Sequence, residues 1–167
     1  VKPDIICLSK ALTAGLMPMG VTSCTQQVYD AFYSTDISKG LFHGHTYTAN
    51  PLACVAALAG IELLQSEQIQ KDIQRVIESH QEFGLKIKEH PKVAEIRQCG
   101  IIFALDLNIK MERYGSLRDR LFDFFMEHGV FLRPLGNTIY ILAPYIITDT
   151  QLKQVYDTIE LALDTVV

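Results

Sequence analysis

Pro3-Asp4-Ile5-Ile6-Cys7-Leu8-Ser9-Lys10 runs directly into Ala11-Leu12-Thr13-Ala14-Gly15-Leu16-Met17-Pro18-Met19-Gly20. Ile5 to Leu8 is a short, β-rich apolar stretch, the pattern of a buried strand in a parallel sheet. Lys10 leaves that stretch just ahead of a turn punctuated by glycine and proline. In open α/β sheets, ligand-handling groups lie beyond the carboxyl ends of the strands. A lysine placed there can shed part of its hydration and act as a Schiff-base nucleophile. The alternative is a lysine that leaves a strand and points into water. Lys10 is the candidate nucleophile of the chain.

Downstream, Gln26 to Phe32 reads as a short helix, and Asn50-Pro51 is a strong helix start, with Asn at the N-cap and Pro at the first helical position. Leu52 to Leu64 is apolar almost throughout, which predicts a helix buried on most sides. Ile69, Ile73, Val76, Ile77, Phe83, Leu85 and Ile87 form a helical stripe with Gly84 as a weak point, ended by Pro91. Val93 to Ile96 and Ile101 to Leu107 read as strands, and Leu117 to His128 as an amphipathic helix closed by Gly129. Val130 to Leu132 and Thr138 to Leu142 are further strand candidates across a Pro-Leu-Gly-Asn turn. A last helix begins near Thr148-Asp149. Strands mixed with helices through short connections predict an α+β domain with a small, mainly antiparallel sheet.

Two other places draw attention as chemistry. Thr46, in Phe42-His43-Gly44-His45-Thr46-Tyr47-Thr48-Ala49-Asn50-Pro51, offers a hydroxyl and a backbone N–H in a loop before a helix, which suits an anionic oxygen. The alternative is a turn threonine that satisfies its own backbone. Gly44 would let backbone approach a ligand closely. His43 and His45 lack a nearby carboxylate or cysteine to complete a metal site, so no metal is expected. Arg133 follows Val130-Phe131-Leu132 and precedes Pro134, an unfavourable setting for a permanent charge unless an anion pairs with it. That anion is either a ligand carboxylate held by the guanidinium fork or a structural acidic partner.

These blocks, in this order, resemble class III aminotransferases, pyridoxal-phosphate enzymes of the fold type I α/β transferase architecture. Within that class the later blocks, through Ile139-Tyr140-Ile141-Leu142-Ala143-Pro144-Tyr145, look most like members that aminate an oxo-acid in biotin synthesis. The resemblance implies that Lys10 is the catalytic lysine that carries pyridoxal 5'-phosphate. It implies that Thr46 donates to the cofactor phosphate of the neighbouring subunit in a homodimer, and that Arg133 binds the substrate carboxylate. Gly44 and Tyr140 would line the substrate site; a half-buried packing role is the alternative for Tyr140. The small-molecule partners it implies are an amino donor, with S-adenosylmethionine first, and an oxo-acid acceptor. The likeness covers nearly the whole chain but only the later part of the family's sequence. The expectation is therefore a C-terminal fragment, inactive in isolation: residues 1–50 the tail of the large cofactor domain, and 51–167 a bridging helix and small domain. Such a piece is expected to expose apolar surface. Ser9 stands where the family often has glycine, and Pro144 where close relatives often have two prolines. Competing expectations are a class III enzyme for an ω-amino acid or diamine, and a non-catalytic α+β interaction module.

Composition agrees with a folded domain: 167 residues, 49% hydrophobic, with 15 basic and 19 acidic side chains giving a net charge of −4. Neither sign is clustered, so nothing favours nucleic acid or an anionic membrane. No apolar run reaches the roughly 20 residues that a membrane span needs. Four scattered cysteines predict a reduced, cytoplasmic setting.

Overall fold

The computed structural model describes residues 1–109 and 115–167. The chain divides into two compact units, Val1–Ser66 and Glu67–Val167.

In the first unit, β1 (Ile5–Leu8) pairs antiparallel with β2 (Val21–Cys24), Ile5 opposite Cys24 and Leu8 opposite Val21. The expected buried parallel strand is not what forms. Every residue of β1 is exposed, and its partner is the next strand along the chain. An apolar run reports a capacity for burial; it does not say which strand sits beside it or what covers it. A 3-10 turn (Lys10–Thr13) and α1 (Gln26–Phe32) follow, then α2 (Pro51–Gln65), whose N-cap Asn50 accepts from the Leu52 N–H. The buried helix expected over Leu52 to Leu64 is mostly bare. Only Ala53 and Ala57 are buried, while Leu52, Val55, Leu58 and Leu63 lie at 62–69% exposure.

The second unit has a continuous core. The strands β3 (Val93–Cys99), β4 (Ile102–Leu107) and β5 (Thr138–Leu142) form an antiparallel sheet in sequence order. Phe103, Leu105 and Leu107 alternate with outward residues along β4, and Ile139 and Ile141 do the same along β5, as the two-residue strand period requires. That inner face packs with Phe83 and Ile87 of α3 (Glu67–Ile87), Leu121 and Phe125 of α4 (Ser116–Glu127), and Ile159 and Leu163 of α5 (Asp149–Thr165). The result is a layer of helices on one face of an antiparallel sheet, the small α+β arrangement expected. α5 opens with a reciprocal capping box between Thr148 and Gln151, which satisfies orphan backbone donors of its first turn.

Three local expectations change. Leu85 is exposed, and the buried stripe of α3 runs through Val76, His80, Phe83, Gly84 and Ile87 instead. Gly84 is no weak point, because a Cβ there would meet Phe103 at 3.3 Å. Val130 to Leu132 pairs with no strand, and its Leu132 N–H turns back to the Val130 carbonyl at 3.1 Å. Its buried Val130 and Leu132 are drawn into the core, and only Leu135 bridges back to β5, at Thr138.

No single helix among the described residues is long and apolar enough to cross a membrane.

Candidate active site

Lys10 sits at the mouth of a loop fastened from several sides. It adopts φ 53°, in the left-handed region that a non-glycine residue seldom occupies. Ser9 just before it donates its hydroxyl to the Met19 carbonyl at 3.1 Å, drawing the two ends of the loop together. The buried Thr13 hydroxyl donates to the Met17 carbonyl at 2.5 Å and accepts from the Met17 N–H at 3.3 Å. From outside, α2 presses on the same turn at Gly60, where a Cβ would come within 3.2 Å of the Leu12 carbonyl. A larger residue at 60 would push the helix off the Lys10 turn. The Lys10 side chain itself is exposed and has no hydrogen bond or ion pair among the described residues.

The loop before α2 distributes its roles differently from the sequence expectation. Thr48, not Thr46, serves the turn: its hydroxyl accepts from the His45 N–H at 3.2 Å, and its own N–H donates to the His45 carbonyl. The Tyr47 N–H donates to His45 Nδ1 at 3.1 Å. That leaves the Thr46 hydroxyl exposed and without a hydrogen bond among the described residues. Gly44 is also exposed, and a Cβ there would meet nothing within 4 Å among the described residues. Met17, Gly20, His45, Tyr47 and Asn50 line one pocket of about 470 Å³, whose lining includes none of Lys10, Gly44 and Thr46.

In the second unit the structure does bring two predicted residues together. Arg133 and Tyr140 line one cleft of about 910 Å³, whose other walls are largely apolar, among them Phe131, Leu142, Ile146 and Val155. Arg133 is held by its neighbours rather than by its charge. Leu132 and Pro134 on either side are buried, while Arg133 itself is exposed. The expected unfavourable setting is thus avoided by turning the side chain outward. No acidic side chain among the described residues pairs with it. Tyr140 is half-buried on the outer face of β5, across Ala104 from Arg97.

Arg97, which the sequence reading did not single out, is the contrasting case. Its guanidinium reaches Asp106 through both terminal nitrogens, at 2.5 and 2.7 Å, and Glu95 at 3.2 Å. The Arg97 hydrogen bond, with help from Thr138, holds the Asp106 carboxyl below the usual carboxylate range, against the opposing effect of burial. The same pairing raises Arg97 further above its already high value. Within this unit, then, Arg97 is neutralised by carboxylates while Arg133 has no ion pair among the described residues.

Lys10 at the end of a strand and the hydroxyl-bearing loop ahead of α2 lie in the first unit, and Arg133 over the apolar cleft lies in the second. The family model for Aminotransferase class-III matches residues 1–163, and the chain belongs to that family. Adenosylmethionine-8-amino-7-oxononanoate aminotransferase of Synechococcus elongatus is 41% identical over 170 residues, covering 99% of this chain and 39% of that protein. The crystal structure of the enzyme of that name from Methanocaldococcus jannaschii superimposes with a TM-score of 0.87 at 33% identity, covering 99% of this chain and 39% of the other. An amine transaminase from an uncultivated Pseudomonas species, solved in a PLP-bound form, gives a TM-score of 0.84 at 30% identity. The chain spans about 39% of the length of these relatives.

Proposed function

We propose that this chain is the C-terminal part of a pyridoxal-phosphate-dependent aminotransferase that converts 8-amino-7-oxononanoate to 7,8-diaminononanoate in biotin synthesis. S-adenosylmethionine is the proposed amino donor, and the enzyme is taken to be a cytoplasmic homodimer. In this reading residues 1–50 are the tail of the large cofactor domain, and residues 51–167 are the bridging helix and small domain. The observation that carries it is the pairing of an uncommitted arginine with a large, mostly apolar cleft. A nine-carbon acid needs both: apolar walls for its methylenes and one cation for its carboxylate. The names of the relatives point the same way.

The residues present fit the cofactor. Lys10 offers an amine with no competing partner, on backbone held in an unusual conformation, as reactive side chains often are. Thr46 offers a hydroxyl that the turn does not use. Pyridoxal phosphate, when bound, acts as an electron sink at the substrate carbon and so lets an amino group pass from donor to acceptor. Lys10 would hold it and also serve as the base that moves the proton at that carbon. Thr46 would donate to its phosphate from the neighbouring subunit. Arg133 would take the acceptor carboxylate in two parallel hydrogen bonds, with Tyr140 and Gly44 bounding the substrate.

The test is the visible absorption of the full-length protein before and after S-adenosylmethionine, without acceptor. Loss of the lysine-linked cofactor band on adding this donor supports the proposal. A band that persists with this donor but is lost with a diamine or ω-amino acid moves the assignment to another class III activity. A protein that shows no band with added cofactor refutes the enzymatic reading.

A further inference from the structure

One carboxylate ties together all three strands of the second unit's sheet. Asp106 on β4 receives the Arg97 fork from β3 and the Thr138 hydroxyl from β5, the latter at 2.6 Å. Its side chain is only 18% exposed, whereas that of Arg97 is 45% exposed.

Thr138 stands at a corner. The Leu135 N–H donates to the Thr138 carbonyl at 2.9 Å and the Thr138 N–H to the Leu135 carbonyl at 3.1 Å, closing a tight turn that Gly136 permits with φ 62°. Arg133 lies just upstream of the corner and Tyr140 just downstream. The two arms are held differently. Tyr140 belongs to β5, which the β4 ladder fixes along its length. Val130 to Pro134 has no ladder, so the sheet holds the arm that carries Arg133 only through the corner. Besides the β4–β5 ladder, in which Thr138 lies opposite Asp106, three bonds fasten the corner to β4: Leu107 N–H to the Asn137 carbonyl at 2.7 Å, Asn137 Nδ2 to the Leu107 carbonyl at 3.4 Å, and the Thr138 hydroxyl to Asp106. The last is the shortest and the only one to a charged group, the class of hydrogen bond that is strongest.

We infer that the Arg97–Asp106–Thr138 bridge is a positioning device for the substrate cleft, setting Arg133 against Tyr140 by pinning the corner between them. The inference rests on the reading of Arg133 as the carboxylate anchor. A two-bond carboxylate clamp tolerates little misplacement, so a loosened corner weakens acceptor binding before it affects the chemistry at Lys10.

The experiment uses the full-length, cofactor-loaded protein. Thr138→Val keeps the branched shape, removes the hydroxyl and leaves Asp106 paired with Arg97; Thr138→Ser keeps the hydroxyl. The expected result is a rise of about fivefold in KM for the oxo-acid with Thr138→Val, at unchanged kcat, cofactor band and thermal midpoint. Thr138→Ser should return KM to within about twofold of the parent. A Thr138→Val protein whose KM stays within about twofold of the parent overturns the inference, as does a KM rise that only follows a fall in thermal midpoint. A parent protein that does not aminate the oxo-acid overturns the functional reading and the inference with it, a result told apart by appearing with Thr138 intact.

Discussion

The two units solve different problems. Glu67–Val167 buries Phe103, Leu105, Leu121, Phe125 and Ile159 almost completely, whereas the buried residues of Val1–Ser66 are Thr13, Ala53 and Ala57. The first unit carries the proposed cofactor residues on a thinly packed frame, and the second carries the proposed carboxylate anchor beside a dense core. The difference teaches that order around Lys10 comes from specific fastenings, Ser9 to Met19, Thr13 to Met17 and Gly60 against Leu12, rather than from apolar burial. The bare apolar face of α2 is what such a unit would present to a further layer of protein.

The contrast can be broken most sharply at Lys10. In the full-length protein, Lys10→Ala should lower kcat by about 10³-fold or more while the denaturation midpoint stays near that of the parent. A variant that keeps turnover would remove the first unit from the chemistry. Next in size are two leucine truncations in the 167-residue chain, one buried and one exposed, followed by urea denaturation. Leu105→Ala should cost about 2–5 kcal/mol, because a filled core is left with a cavity. Leu58→Ala should change stability by no more than about 0.5 kcal/mol, because that side chain is already in water. Equal losses at the two positions would erase the distinction between the units. Arg133→Ala should raise acceptor KM by about 10–100-fold, with Arg133→Lys recovering only part, since an ammonium cannot reproduce the fork. A change confined to kcat would instead place Arg133 at the reacting atoms.

The smallest effect is acid sensitivity in the second unit. His80 is fully buried; its Nε2–H donates to the Ile101 carbonyl at 3.1 Å, so Nδ1 accepts from the Tyr156 hydroxyl at 2.7 Å. Burial, only partly opposed by the Ile101 bond, lowers the His80 pKa below its ordinary 6.5. The unfolded chain therefore takes up the proton first as pH falls. The stability that His80 contributes is complete above pH 6.5 and drains away below it, at no more than about 1.4 kcal/mol per pH unit. Denaturation midpoints measured between pH 8 and pH 5 should decline, and the slope should be shallower in His80→Gln.

Much of the second unit was legible because its signals are local. Pro91 beyond α3, Gly129 after α4 and the Thr148 start of α5 all mark real boundaries, and Thr138 to Leu142 is a strand from end to end. What could not be read depends on partners distant in sequence. Ile5 to Leu8 has the composition of a covered strand and lies bare; Val130 to Leu132 has the composition of a strand and goes to the core without pairing. His80 was hidden because a histidine on an apolar helix face gives no sign of the Tyr156 hydroxyl waiting across it. The spacing Thr148-x-x-Gln151 could have announced the capping box. At the site, residue identities were readable but not their settings. Arg133 was singled out for an unfavourable burial that it avoids, and the division of labour between Thr46 and Thr48 needed the turn itself. Gly60 was beyond reach, since only the approach of the Lys10 turn gives it meaning.

The left-handed backbone at Lys10 sets a trap for directed evolution. Glycine suffers no steric penalty at φ 53°, so Lys10→Gly should relieve strain on the order of 1–2 kcal/mol while deleting the amine. A library ranked by heat tolerance alone would promote that substitution. Selection for robustness and selection for turnover therefore pull this single position in opposite directions, and a screen that omits the second would enrich sturdier, inert proteins.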